Sequence, residues 1–535
     1  MYKNVSHYYL IFAIFLISGF FGSTKAQAQY SLTGQLRVRA EDRDGYGNLV
    51  LSGAKNANFI SQRTRLNFGY KWDLLTFGVS VQDIRVWGAD ASTISPADGS
   101  RLGLHEGWAE LTLANKADTN IKFKLFDQLS LKVGRQELIY DDSRLIGNID
   151  WLQQARTFDM ALLKVVHHGW QVDLGYAFNQ NTDAAGVTNS NYIPGNLPGY
   201  VKNSLGTLVP VPAGLVPLAA GGSAANNSSK TGTPIYANPP STNGATQDYK
   251  SFASLYISKK FDQTKVSALF FSDNFGKYKL DSVGSAATGY VYGRRFVPSG
   301  PSDTYDYSTN RRYTYGLMVS PVFGNASDFG KIAIQAAYYR QSGKDRDGKD
   351  MNAFHYTIAA TYQKDRFSIT PGYDVLSGTK TSDIALGKDN AFDPLYGTPH
   401  KFWGYMDYFY AGTGSPKGGL SNPYIKFKYT ANVFSAGIDL HSFSLNQDMK
   451  KADGTLVGRN LGKEGDLQLS YTMNKFTNIE FGYSLMKATD NMPFAKGQAT
   501  TDAVAATFDK TATWAYVMIK FTPDFLYTKP VAIKQ

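Results

Sequence analysis

The chain has no cysteine among its 535 residues. That excludes a disulfide framework, a thiolate metal site and a lipid-bearing cysteine behind an export signal. Beyond its N-terminus it also lacks any apolar run approaching the roughly 20 residues a spanning helix needs. The most apolar later stretch, 208–220, is broken by Pro210, Pro212 and Pro217. Only seven histidines occur, and they are scattered. Neither a Gly-x-Ser-x-Gly elbow nor a His-Glu-x-x-His helix is present, so an enzyme, for example a hydrolase at the rim of a β-structure, finds no motif to build on. No cofactor or metal motif stands out either. The acidic turns Asp42-Arg43-Asp44-Gly45 and Asp345-Arg346-Asp347-Gly348-Lys349-Asp350 faintly resemble calcium loops, but both lack the downstream bidentate glutamate and read as hairpin turns.

Glycine and aromatics are abundant: 51 glycines, 35 tyrosines and 14% aromatic residues. A mean hydropathy of -0.30 is compatible with a membrane β-barrel, in which lipid-facing and lumen-facing residues alternate and cancel. The N-terminus carries Lys3, an apolar run from Tyr8 to Phe21 and Ala26-Gln27-Ala28. These are the basic start, short hydrophobic core and small-residue cleavage site of a secretory signal peptide over 1–28. Its removal takes Lys3, Lys25 and no acid from a formal charge of +11, leaving +9. Net positive charge favours anionic partners.

Period-two alternation recurs throughout the remainder. Leu32, Leu36, Val38 and Ala40 share one face against Thr33, Gln35, Arg37 and Arg39, and Leu66, Phe68 and Tyr70 oppose Arg63, Arg65 and Asn67. The same pattern returns at Val172–Phe178, Ile332–Tyr338, Leu467–Met473 and Ile479–Leu485. Strands of about 10 residues with aromatic ends suit a membrane barrel better than a sandwich. Short connections at 71–73, 364–366 and 474–477 alternate with long polar ones, as periplasmic turns alternate with outer loops. The expectation is an all-β fold: one transmembrane antiparallel up-and-down barrel of about 18 strands over 29–527, with a periplasmic tail at 528–535. A long outer loop at 181–246, rich in Gly, Pro, Ser and Asn, buries too little apolar surface to fold alone.

The densest cluster of charge lies between two alternating segments, in Gly134-Arg135-Gln136, Asp141-Asp142-Ser143-Arg144-Leu145-Ile146-Gly147, Asp150-Trp151 and Arg156-Thr157-Phe158-Asp159. A second block holds Gly372-Tyr373-Asp374-Val375-Leu376-Ser377-Gly378, Phe392-Asp393-Pro394-Leu395-Tyr396-Gly397-Thr398-Pro399-His400, Gly404-Tyr405-Met406-Asp407 and Gly462-Lys463-Glu464-Gly465-Asp466-Leu467. In these blocks, and in their order, the chain resembles the alginate export family of bacterial outer-membrane porins. The resemblance covers most of the mature chain, apart from the insert at 181–246, the variable loops and a polar C-terminal tail. It implies a narrow electropositive constriction around Arg135, Arg144 and Arg156, with Glu137, Asp142 and Asp159 as acidic neighbours; the same set reads equally as an arginine and carboxylate network bracing an inward-folded loop. It also implies an anionic polysaccharide as cargo and a periplasmic export machine as partner.

Parity places Arg37, Arg39, Arg63 and Arg65 in the lumen, because a charge facing mid-bilayer hydrocarbon costs about 2–4 kcal/mol. Such a ladder suits a uronate polymer or a small organic anion; it also suits pairing with lumen acids as polar filler. Arg135 and Arg156 fall in phase with apolar neighbours. To reach the lumen they require a bulge, for which Gly134 is the candidate, or a place beyond the hydrocarbon edge. Asp374, His400, Asp407, Glu464 and Asp466 are read as partners for the arginines. The reading is a monomeric outer-membrane channel in contact with lipid and lipopolysaccharide, with no nucleic-acid partner, no cofactor and no metal. Its basic lumen passes anions, either an exported polysaccharide or small anions taken up. An adhesion module on the 181–246 loop is the remaining alternative, weakened by that loop's low charge and few aromatics.

Overall fold

The computed structural model describes residues 28–88, 102–117, 123–180, 192–194, 197–219, 233–236, 249–298, 300, 302, 304–411 and 416–527. Residues 1–27 of the expected signal peptide (1–28), the tail 528–535 and most of 181–246 lie outside the described residues.

Eighteen antiparallel strands form the wall: β1 (Gln29–Asp44), β2 (Ala57–Trp72), β3 (Leu75–Val86), β4 (Leu102–Asn115), β5 (Gln128–Gln136), β6 (Phe158–His167), β7 (Trp170–Phe178), β8 (Tyr249–Phe261) and β9 (Thr264–Gly276) in the first half. The second half comprises β10 (Thr309–Ser320), β11 (Gly330–Lys344), β12 (Asp350–Lys364), β13 (Phe367–Leu376), β14 (Leu420–Thr430), β15 (Phe434–Ser444), β16 (Asn460–Asn474), β17 (Thr477–Ala488) and β18 (Thr511–Phe521). Each pairs with its chain neighbour, and β1 closes on β18 in the register Arg37↔Lys520 and Glu41↔Tyr516. Closure pairs every wall strand on both sides and leaves no sheet edge, the condition for strands in hydrocarbon. A further segment, Asp524–Tyr527, continues past β18 and pairs with Ser31–Thr33. Among the described residues the barrel wall thus extends to Phe525-Leu526-Tyr527, an aromatic segment that the polar tail masks in the sequence.

The alternation reads through into the wall. Leu66, Leu174, Tyr176, Leu317, Tyr338, Ile358 and Ile438 are each more than 40% exposed, whereas Arg37, Arg39 and Arg63 on the opposite face are at most 3% exposed. An outer surface this apolar is stable only against lipid. Short turns follow the even-numbered strands at Asp73, His168, Asp262 and Asp365, each with a positive φ. The opposite rim carries the long connections.

Two of those long connections turn into the barrel instead of away from it. The β5–β6 loop (137–157) and the β13–β14 loop (377–419) supply Leu145, Ile146, Phe392, Tyr396, Trp403, Met406, Tyr408 and Phe409, none more than 3% exposed. They pack with Phe443, Leu461, Met486 and Trp514 from the wall, and with Met492 and Phe494 from the β17–β18 loop, into one apolar cluster. The protein thus has a hydrophobic core inside its lumen. Outside, parts of the 181–246 insert are ordered against the next loop: Leu215–Ala219 pairs with Gly289–Arg295, and Val201, Leu215 and Val291 are buried together. The insert borrows its neighbour's surface to make a core.

The candidate constriction: an arginine wall and two inward loops

The two charged blocks of the sequence meet in space. Ile146 forms a parallel bridge with Tyr396. Around it Gly147 N donates to Tyr396 O at 3.0 Å, Tyr396 N to Leu145 O at 2.9 Å, and Thr398 N to Ser143 O at 2.8 Å. Gly147 has to be glycine here, since a Cβ would stand 2.5 Å from Thr398 Oγ1. Among the described residues, eleven non-glycine residues have positive φ, and seven of them (Asp141, Ser143, Ile149, Ala155, Leu395, Asp407, Tyr410) lie in these two loops. Such conformations cost of order 1–3 kcal/mol each and persist only where surrounding contacts over-determine them.

Between Ile149 and Ala155, the arginines of β1 and β2 supply those contacts. Arg37 Nη1 donates to Asp150 Oδ2 at 3.3 Å and to Asp150 O at 2.7 Å, and its Nε to Gln153 Oε1 at 3.0 Å. Arg63 Nη1 donates to Asp150 Oδ1 at 2.8 Å and to Gln153 O at 3.1 Å. Arg39 reaches Trp151 O at 2.9 Å, lies 4.1 Å from the Trp151 ring centroid and pairs with Glu41 at 2.8 Å. Arg65 donates to Gln82 at 2.7 Å and stands 3.9 Å from Glu137. All four face the lumen; the guanidinium groups of Arg37, Arg39 and Arg63 are consumed in holding residues 150–153, and that of Arg65 is taken up by Gln82 and Glu137. Asp150 bridges Arg37 and Arg63. Burial alone would raise its carboxyl, but the Arg63 hydrogen bond and the nearby guanidinium charges offset this and hold it below the usual carboxylate range.

Arg144 is buried between Asp374 on β13, at 2.8 Å, and Asp142, at 3.1 Å, with its guanidinium 4.0 Å from the Phe402 ring centroid. Burial works against its charge, and Asp374 with Asp142 more than compensates, keeping its pKa above the ordinary arginine value. Arg156 also joins the loops, donating to Gly397 O at 2.7 Å and Gly147 O at 3.4 Å. Burial lowers its pKa to about 10. Glu137 accepts from His105 at 2.8 Å and from Asn148 at 2.7 Å.

Two placements differ from the sequence reading. Arg135 does not reach the lumen. It pairs outward with Asp159 at 2.8 Å, directly across β5 and β6, and both side chains are substantially exposed. Gly134 hosts no bulge, because the register Gly107↔Arg135 and Trp108↔Gly134 runs unbroken there. The pair survives outside because it lies at the long-loop end of the strands, away from mid-bilayer hydrocarbon. Secondly, of the acids in the second block Asp374 pairs with an arginine, but Glu464 instead accepts from Met406 N at 2.9 Å. Asp407 accepts from His400 Nδ1 at 2.9 Å and from the Tyr46 hydroxyl. His400 in turn stacks between Trp151, at 4.3 Å, and Tyr405, at 5.0 Å. His400, read as a partner for the arginines, thus pairs with an acid and with aromatic rings instead; Trp151 and Tyr405 were legible only as members of the motif blocks, since stacking across loops leaves no periodic signal. The turn at Asp345 closes on itself, its carboxylate accepting from Asp347 N and Lys349 N.

With the arginines occupied, the cations nearer the short-turn rim are lysines. Lys71, Lys132, Lys164, Lys265, Lys428 and Lys520 share the lumen face by register. Lys164 and Lys265 are paired with Glu110 and Asp141 at 3.0 and 2.9 Å, and both side chains remain more than a third exposed.

A closed eighteen-stranded barrel with a lipid-compatible exterior, a charged interior and inward-folded outer loops defines an outer-membrane porin, and the protein resides in the bacterial outer membrane. The alginate export family model matches residues 28–178, which span β1 to β7 and the 137–157 loop. The fold is similar to that of OpdO of Pseudomonas aeruginosa, with a TM-score of 0.51 and 10% identity over 93% of this chain and 98% of that one. Acinetobacter baumannii OccAB2 (TM-score 0.50, 11% identity, 93% and 98% covered) and Pseudomonas aeruginosa OccK11 (TM-score 0.50, 10% identity, 94% and 97% covered) are comparably similar. At these identities the likeness is one of fold. No curated protein sequence matches the chain.

Proposed function

We propose that this porin conducts anionic solutes, and that the class of cargo is an acidic polysaccharide of the alginate type. The observation that carries the reading is the ring of lumen lysines on the short-turn side of the loop constriction. It would lower the energy of an anion entering a narrow passage of low dielectric, while Glu110, Asp141 and Asp439 beside the lysines keep binding weak enough for exit. The family match over residues 28–178 supports a polysaccharide as cargo.

Uptake of small organic anions is the second reading. The two loops that fill the outer lumen favour it, because a narrow passage suits a small solute. Either cargo needs a concentration gradient or a partner machine to set direction. Reversal potential of the refolded protein in a planar bilayer under a salt gradient tests the anion preference, and block by an oligouronate tests the polymer. Cation preference with indifference to uronates would refute both readings.

A further inference from the structure

At the short-turn end of the lumen, the wall formed by β1 to β4 contains a recess of about 320 Å³, near the lower limit for small-ligand sites. Its form follows from three rows of lumen-facing residues that run straight across the strands. The middle row is Ser31↔Gly69↔Gly78↔Trp108. Both glycines have ordinary backbone angles, so neither is required by conformation. Space requires the second: a Cβ on Gly78 would stand 2.6 Å from the Trp108 indole, whereas one on Gly69 would meet only the Ser31 hydroxyl, at 2.5 Å. The row is therefore a trough closed at one end by an aromatic ring.

The row above it, Thr33↔Asn67↔Ser80↔Glu106, is hydrogen-bonded laterally. Ser80 Oγ donates to Asn67 Oδ1 at 2.7 Å, and Asn67 Nδ2 lies 3.3 Å from Thr33 Oγ1. This fixes hydroxyl and amide groups along one lip of the trough. The row below brings Lys71 to the other lip, opposite Gln29 and Thr76. Lys132 lies 3.7 Å from the Trp108 ring centroid and holds the indole in place. An ion relay would use fixed charge here. What the wall offers is rigid hydroxyls, an amide, one carboxylate acceptor, the Lys71 ammonium as a hydrogen-bond donor and an apolar indole surface, which match the hydroxyl rim and C–H faces of a sugar ring.

We propose that this recess is a subsite for one pyranose unit of an oligosaccharide, recognised through its hydroxyls and C–H face rather than through charge. The proposal rests on the channel reading above but not on its anion preference, so a neutral sugar occupies the same place. The test uses the full chain refolded in a planar bilayer, with maltotriose added to the short-turn side and current block read against concentration. The expected result is block by maltotriose from that side. Gly69→Val, which fills the trough and leaves the indole, and Trp108→Ala, which removes the end wall, should each raise the blocking concentration at least about tenfold, the effect of 1.4 kcal/mol. Each variant is first shown to be folded by its heat-modifiable gel mobility, and if one fails to fold the other carries the comparison. Absence of maltotriose block in the wild type, or block unchanged in the folded variants, overturns the subsite. Block by maltotriose in a channel without anion preference would retain the subsite and remove the charge-based reading instead.

Discussion

Asp150 is the residue on which the constriction turns. Its carboxylate joins Arg37 and Arg63, two like charges that would otherwise face each other across β1 and β2. Because the carboxylate is 44% exposed, Asp150→Ala should cost only about 1–3 kcal/mol but should release residues 150–154 and raise single-channel conductance. The same contact makes a pH prediction. A carboxyl whose pKa is lowered by docking contributes stability above its undocked value, near 4, and loses it as pH falls through the depressed value. Acidification below about pH 4 should therefore open the channel further, and Asp150→Asn should abolish that pH response while leaving the loop weakened at all pH values. Arg144 differs in kind. Arg144→Ala strands Asp374, which is 0% exposed, and removing one partner of a buried pair costs about 3–5 kcal/mol. The expected readout is a lower unfolding midpoint on heat-modifiability gels. Arg135→Ala, by contrast, breaks an outward, half-exposed pair, so it should change stability by less than about 1 kcal/mol and leave reversal potential unaltered.

At the scale of elements, strands and loops were legible to very different degrees. The strands announced themselves, since each needs apolar residues at every second position and a charge on the wrong face is costly. Parity alone placed Arg37, Arg39, Arg63 and Arg65 inside. Parity also flagged Arg135 as out of phase, and the structure resolves that conflict without a bulge, by ending β5 at the polar rim. The loops follow no period. That 137–157 and 377–419 fold inward and zip together at Ile146 and Tyr396 depends on contacts some 250 residues apart in sequence, and only the density of motif residues hinted that both segments are structural. The external insert shows the same limit: its composition indicates that it cannot fold alone, and its described part is buried against a neighbour, but nothing in it names the hairpin at 279–295 as that partner. Deleting 190–240 should leave the barrel closed while uncovering Val291 and neighbouring apolar surface. Increased binding of a hydrophobic dye, with heat-modifiability unchanged, would report that outcome.

At the scale of the whole molecule, the barrel separates two jobs that the sequence alone runs together. Arginine, with its rigid fork of donors and permanent charge, holds the loop backbone and carboxylates at the outer half of the lumen. Lysine, a mobile and well-hydrated charge, lines the short-turn half, and only some of it is used on the loops, as where Lys265 meets Asp141. The +9 that remains without the expected signal peptide is thus divided between arginines bound to the loops and lysines facing the lumen, and a count of basic residues could not show which arginines are taken up by the loops. Selectivity should therefore follow the lysines. Reversal potential under a salt gradient, compared between wild type and a Lys164→Gln, Lys265→Gln, Lys428→Gln variant, tests this most directly. A clearly anion-selective wild type whose reversal potential moves toward zero in the triple variant is the predicted result; a cation-selective wild type, or a triple variant as anion-selective as its parent, would contradict it.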